Sequence, residues 1–74
     1  MKNTNYKTKV NFRGMAIFEI SVRIGAIARK AEELGVRFVY DNALSKTKDI
    51  SFEMTGASDD VDKLVEFTKM YIDI

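Results

Sequence analysis

The side chains that could do chemistry in this 74-residue chain are carboxylates, hydroxyls and amines, because it contains neither His nor Cys. Without His, the commonest general base and the commonest transition-metal ligand are missing. Without Cys, no disulfide or thiolate site can form, and the chain suits a reducing compartment. Paired carboxylates stand at Glu32-Glu33 and Asp59-Asp60, but adjacent residues on a helix point in different directions and cannot share one reacting atom. Asp59, Asp60 and Asp62 lack the glycine and the distal Glu of a calcium loop. The hydroxyls of Ser21, Ser45, Ser51 and Ser58 have no His to activate them. There is no glycine-rich phosphate loop. The expectation is a non-enzyme with no cofactor and no metal.

The elements that must carry these residues are those of a single small domain, spanning residues 1–74. The composition, 46% hydrophobic and 31% charged, is that of a folded globular chain. No apolar run reaches the roughly 18 residues of a membrane span, since Glu19, Arg23, Arg29 and Lys30 interrupt the longest one. The first residues, Met1-Lys2-Asn3-Thr4-Asn5, lack the apolar segment of a signal peptide, so a cytoplasmic protein without membrane contact is expected. Net charge is +1, unevenly placed. Residues 1–30 carry seven Lys/Arg against Glu19 alone, and residues 31–74 carry five Lys/Arg against ten Asp/Glu.

Periodicity predicts six elements. Strands are expected over about 6–12, 15–22, 36–41 and 48–55, and helices over about 23–34 and 59–71. In the first strand Tyr6, Thr8, Val10 and Phe12 face inward, with Lys7, Lys9 and Asn11 outward. Arg13-Gly14 is expected to make a tight hairpin to the second strand, whose inward residues are Ala16, Phe18, Ile20 and Val22. That second strand competes with a helical stripe (Ile17, Ile20, Ile24, Ile27, Ala31, Leu34), which would make one long helix from Ala16. The density of β-branched and aromatic residues in Ile-Phe-Glu-Ile-Ser-Val favours the strand. Ser21 is then a helix cap, Gly25 marks a close backbone approach, and Gly35 ends the helix. Val36, Phe38 and Tyr40 face inward in the third strand, and a loop over 42–47 leads to the fourth, with Ile50, Phe52 and Met54 inward. Gly56-Ala57 turns the chain, Ser58 caps, and the last helix buries Val61, Leu64, Val65, Thr68 and Tyr71.

The expected fold class is therefore α+β: a two-layer ββαββα sandwich with a ferredoxin-like four-stranded sheet in the order 1-2-4-3 and both helices on one face. The stretch from Ile17 to Tyr71, with Arg23-Ile24-Gly25-Ala26-Ile27-Ala28 and a helix ending in Glu33-Leu34-Gly35-Val36, resembles small regulatory ligand-binding domains of the ACT type. That resemblance implies amino-acid sensing at a subunit interface, with Arg23 and Gly25 as the ligand-loop candidates. The shortened loop, Arg23-Ile24-Gly25 in place of an Asp-Arg-Pro-Gly type, departs from the pattern of such domains.

From the residues themselves the favoured function is a protein-interaction module that docks on a larger protein, regulating or inhibiting it by occupancy, or on its own copy as a homodimer. Its candidate contacts are Lys7, Lys9, Ile17, Glu19, Arg37, Val39 and Glu53, all expected on the open sheet face beside a free edge at 36–41. A short chain without cofactor residues resembles, in size, the inhibitors and accessory proteins that phages and mobile elements encode. The third reading is nucleic-acid binding through Lys2, Lys7, Lys9, Arg13, Lys46 and Lys48. The expected inward aromatics, with Glu19, Asp49 and Glu53 on the open face, weigh against it.

Overall fold

Alternation of polar and apolar residues builds the first strand, and ladder pairing with the segment ending at Ala57 carries it back to Asn3, three residues before the predicted start. The computed structural model describes residues 2–12, 14–41 and 49–72. Over these the elements are β1 (Asn3–Asn11), α1 (Ile17–Leu34), β2 (Arg37–Tyr40), β3 (Asp49–Ala57) and α2 (Ser58–Tyr71). They form an α+β domain in which three antiparallel strands, in the order β1-β3-β2, pack against two helices. β3 is central. It pairs along its full length with β1, from Asn3↔Ala57 to Asn11↔Asp49, and with β2 from Arg37↔Thr55 to Tyr40↔Phe52. β1 and β2 thus run the same way with β3 between them, and α1 is the connection from one to the other.

The inward phase of the three strands is as the alternation predicts, except that Tyr40, expected inward, is exposed at the end of β2. Val10, Ile50, Phe52 and Met54 are buried, and the Phe52 ring packs against Phe12 (centroids 6.2 Å apart) and Phe38 (5.4 Å). The helices close this core with Ile20, Ile24, Ile27 and Ala31 from α1 and Val61, Leu64 and Thr68 from α2. Thr68 is the buried polar residue of this core, and its hydroxyl donates to the Leu64 carbonyl at 2.7 Å.

Residues 17–22 are not a strand. They are the first turns of α1, so the expected second strand, its hairpin and the ββαββα order give way to βαββα. The reason is tertiary. The partner that strand needed, β3, is taken along its whole length by β1. Continuing the helix backwards instead places Ile20 in line with Ile24, Ile27 and Ala31 over the core. Local β-propensity yields to that packing.

The turn at residue 14 is real but leads into the helix. The Met15 N–H donates to the Phe12 carbonyl at 3.1 Å, and Gly14 holds φ at +81°, the geometry a type II turn requires of its third residue. At the other end of α1, Gly35 has φ +71°. Its N–H bonds to Glu32 and that of Val36 to Ala31, which is a Schellman cap.

Neither serine caps a helix. Ser21 lies inside α1, and Ser58 is the first residue of α2, where its backbone N–H and its hydroxyl both donate to the Lys2 carbonyl. The N-caps are Ala16 and Ala57, without side-chain bonds. Gly56 and Ala57 end β3 rather than forming a turn. The expected loop over 42–47, with Lys46 and also Lys48, lies outside the described residues, as does Arg13.

Candidate functional site

Two surfaces of the domain carry side chains that the fold does not consume. The first is the open face of the sheet. Strand alternation points Asn3, Asn5, Lys7, Lys9 and Asn11 of β1 to this side, and register sets them against Ala57, Thr55, Glu53, Ser51 and Asp49 of β3. β2 adds Arg37 beside Thr55 and Val39 beside Glu53. Glu53 is the hub. Its carboxylate lies 3.5 Å from the Lys7 ammonium and accepts a hydrogen bond from the Asn5 amide at 3.2 Å. Asn5 also donates to the Thr55 hydroxyl at 3.0 Å, and Asn11 donates to Asp49 at 2.6 Å. A shallow depression of about 510 Å³ runs over this side, lined by Lys7, Lys9, Val39, Asp41, Ser51 and Glu53 among others.

The chemistry of this face is cross-strand pairing. Lys7 is 73% exposed and Glu53 39%, so their attraction is weakened by water and salt. Of the described aromatics of the strands, Tyr6, Phe38 and Phe52 stand inward, while Tyr40, exposed at the end of β2, lines the depression, so a base would meet one ring there and not a row of them. Val39, 43% exposed, is its one large apolar side chain among the described residues.

The second surface lies on the helical layer and is apolar. Ile17 is 59% exposed, Phe18 77% and Val22 56%, all within the first two turns of α1. Phe18 and Val22 were expected inside a strand. On a helix whose core stripe runs through Ile20, Ile24 and Ile27, they point away from the sheet. Tyr71, expected in the core, is also partly exposed. With Phe18, Glu19, Val22 and Arg23 it lines a depression of about 300 Å³.

A seam between the helices holds one wall of this patch in place. The Arg23 guanidinium donates to the Tyr71 carbonyl at 2.7 Å, satisfying a carbonyl in the last turn of α2. The Tyr71 ring packs at a tilt against Phe67, centroids 5.0 Å apart, and the Lys30 ammonium sits 5.7 Å over the Phe67 ring.

The sequence-predicted contact residues therefore fall into two groups. Lys7, Lys9, Arg37, Val39 and Glu53 share the open sheet face, beside the edge strand β2. Ile17 and Glu19 belong to the first turn of α1, in the other layer. The ligand-loop candidates, Arg23 and Gly25, are in no loop. Both lie within α1, and a Cβ at Gly25 would meet nothing within 4 Å among the described residues, so the expected backbone approach is absent there. A narrow groove of about 140 Å³ passes beside Gly25, between Ser21 and Ala28 of α1 and Tyr40 and Asp41 of β2.

Among the described residues, no three His, Cys, Asp or Glu side chains gather as a metal site, and no helix is long and apolar enough to cross a membrane. No family model, curated protein or solved structure matches the chain.

Proposed function

We propose that this chain is a protein-interaction module without catalytic chemistry, one that regulates or inhibits by occupying a surface of another protein chain. Its docking surface is the outer face of the first half of α1. The observation that carries this reading is the exposure of Phe18 and Val22 together, at 77% and 56%, on one face of α1 beside Tyr71. Scattered apolar residues are normal on a surface, but Phe18 and Val22, four apart on one helix face, share a depression with the partly exposed Tyr71 and so form a patch. A helix apolar on its outer side as well as its inner side is the pattern of one that is covered. The sheet face supplies less, since Glu53 answers Lys7 and Val39 is its one large apolar side chain among the described residues.

We also read the β1-β3-β2 order as a ferredoxin-like sheet short of its fourth strand among the described residues. That kinship suits a regulatory module and leaves the amino-acid-sensing alternative weaker than the residues implied, because Arg23 is engaged with Tyr71 and Gly25 is inside a helix. Nucleic-acid binding keeps Lys7 and Lys9, but Lys7 is answered by Glu53.

The test is capture of interacting chains from a nuclease-treated lysate of the native host by three tagged forms: wild type, Phe18→Asp/Val22→Asp, and Lys7→Glu/Lys9→Glu. The expected result is a stoichiometric protein, or a second copy of the chain, held by wild type and by the lysine variant and lost from the helix variant. Equal retention by all three forms would remove α1 as the docking surface.

A further inference from the structure

The outer face of α1 carries a row that one copy of the chain leaves uncovered. Phe18, Val22, Gly25, Arg29 and Glu32 follow one another at alternating spacings of four and three residues, and all are exposed. That spacing keeps one seam of a helix turned towards a neighbouring helix. Gly25 is the informative member. Glycine is a poor residue inside a helix, and here it is not explained by the fold, since a Cβ would meet nothing within 4 Å among the described residues.

The row is also divided by size. Its first half holds the large side chains of Phe18 and Val22, and its second half holds Gly25, flanked by Ala26 and Ala28 and followed by Arg29. A surface with projections at one end and a hollow at the other complements itself when turned around. We infer that two copies of this chain pair through α1, antiparallel about a two-fold axis passing between Arg23 and Ile24. This rests on the reading of the same face as the docking surface and names its occupant. Val22 of each copy then seats over Gly25 of the other, and Phe18 meets Arg29, a cation over an aromatic ring.

Charge favours the same orientation. α1, capped by Ala16 without a side-chain bond, has Glu19 as the acidic residue of its first turn, and ends with Glu32 and Glu33 and no basic residue in its last turn. Those carboxylates stand at the negative end of their own helix dipole, where they are disfavoured. Antiparallel pairing carries them to the positive end of the partner's α1, near Met15 and Ala16. Each contact occurs twice about the axis, so the assembly closes at two copies. The β1 edge does not offer an equal route, because β1 paired antiparallel with another β1 about its midpoint sets Lys7 against Lys7, and the β2 edge is only four residues long.

The experiment is sedimentation velocity of the full chain over a wide concentration range, on wild type, Phe18→Asp and Gly25→Gln, with thermal melts of each. Wild type is expected to be a dimer. Each variant should weaken association by about tenfold or more while its fold remains intact, because both sites are exposed. The absence of native Cys allows a second measurement. An oxidised mixture of Ser21→Cys and Ala28→Cys chains should give a mixed disulfide dimer, and Ala28→Cys alone should give none. A monomeric wild type whose Phe18→Asp variant loses a different captured chain would overturn the self-pairing and leave the docking surface standing. A dimer indifferent to both substitutions would overturn both. Cross-linking of Ala28→Cys with itself would overturn the antiparallel orientation.

Discussion

Phe18 and Phe52 are the same residue in similar surroundings of sequence, Ile-Phe-Glu-Ile and Ser-Phe-Glu-Met, and the fold treats them in opposite ways. Phe52 is 1% exposed at the centre of the core, and Phe18 is 77% exposed on the outside of a helix. Both segments alternate and both are rich in strand formers. What separates them is the partner each finds. The segment around Phe52 becomes the central strand, hydrogen-bonded on both sides, whereas β3 has no edge left for the segment around Phe18. Alternation states that a segment can be a strand; the count of available edges decides whether it is one.

The largest effect that tests this contrast is in the core. Phe52→Ala removes a ring packed against Phe12 and Phe38 and should cost about 3–5 kcal/mol. That is most of the stability of so small a domain. Denaturant unfolding should show little or no folded baseline. A well-folded Phe52→Ala protein would mean that the sheet, and not the helix start, has been misjudged.

Two glycines of α1 sharpen the contrast at the next scale, because one is required by backbone geometry and the other is not. Gly35 holds φ at +71° in the Schellman cap. Gly35→Ala should lower stability by about 1–2 kcal/mol, since a Cβ is strained in the left-handed region. Gly25 has helical backbone and open space where a Cβ would go. Gly25→Ala should therefore raise stability by about 0.5–1 kcal/mol, measured at concentrations where the chain is monomeric. If residues 15–22 were a strand after all, Gly25 would sit in the first turn of a shorter helix and the gain would shrink.

Much of the fold was legible in the residues. The inward phase of β1, β2 and β3, the extent of α2 and the end of α1 at Gly35 all follow from alternation, helical spacing and one glycine. The helix start was not, because Ile17 to Val22 satisfies two periods at once. Ile20 is inward under either, whereas Phe18 and Val22 are inward only as strand residues and Ile17 only on the helical stripe. The candidate surface was hidden by the same ambiguity, since Phe18 and Val22 looked like core. On the sheet face the lysines, Glu53 and Val39 were placed by alternation alone. Their mutual pairing through Glu53 needed the register Lys7↔Glu53, which no single strand contains.

The smallest expected effect is the most discriminating. Phe18→Ser should change the stability of the monomer by less than about 0.5 kcal/mol, because an exposed side chain has little burial to lose. The corresponding change at Phe52 should unfold the protein. Denaturant melts at low protein concentration measure both. Equality between them would return Phe18 to the core and with it the expected second strand. A near-zero value at Phe18 leaves its ring without a role in the folded monomer, and a large apolar side chain held outward on the first turn of a helix then has to be accounted for by what it meets. The same melt repeated at high concentration answers that question. If the ring is covered by another copy, wild type gains stability with concentration by mass action and Phe18→Ser does not.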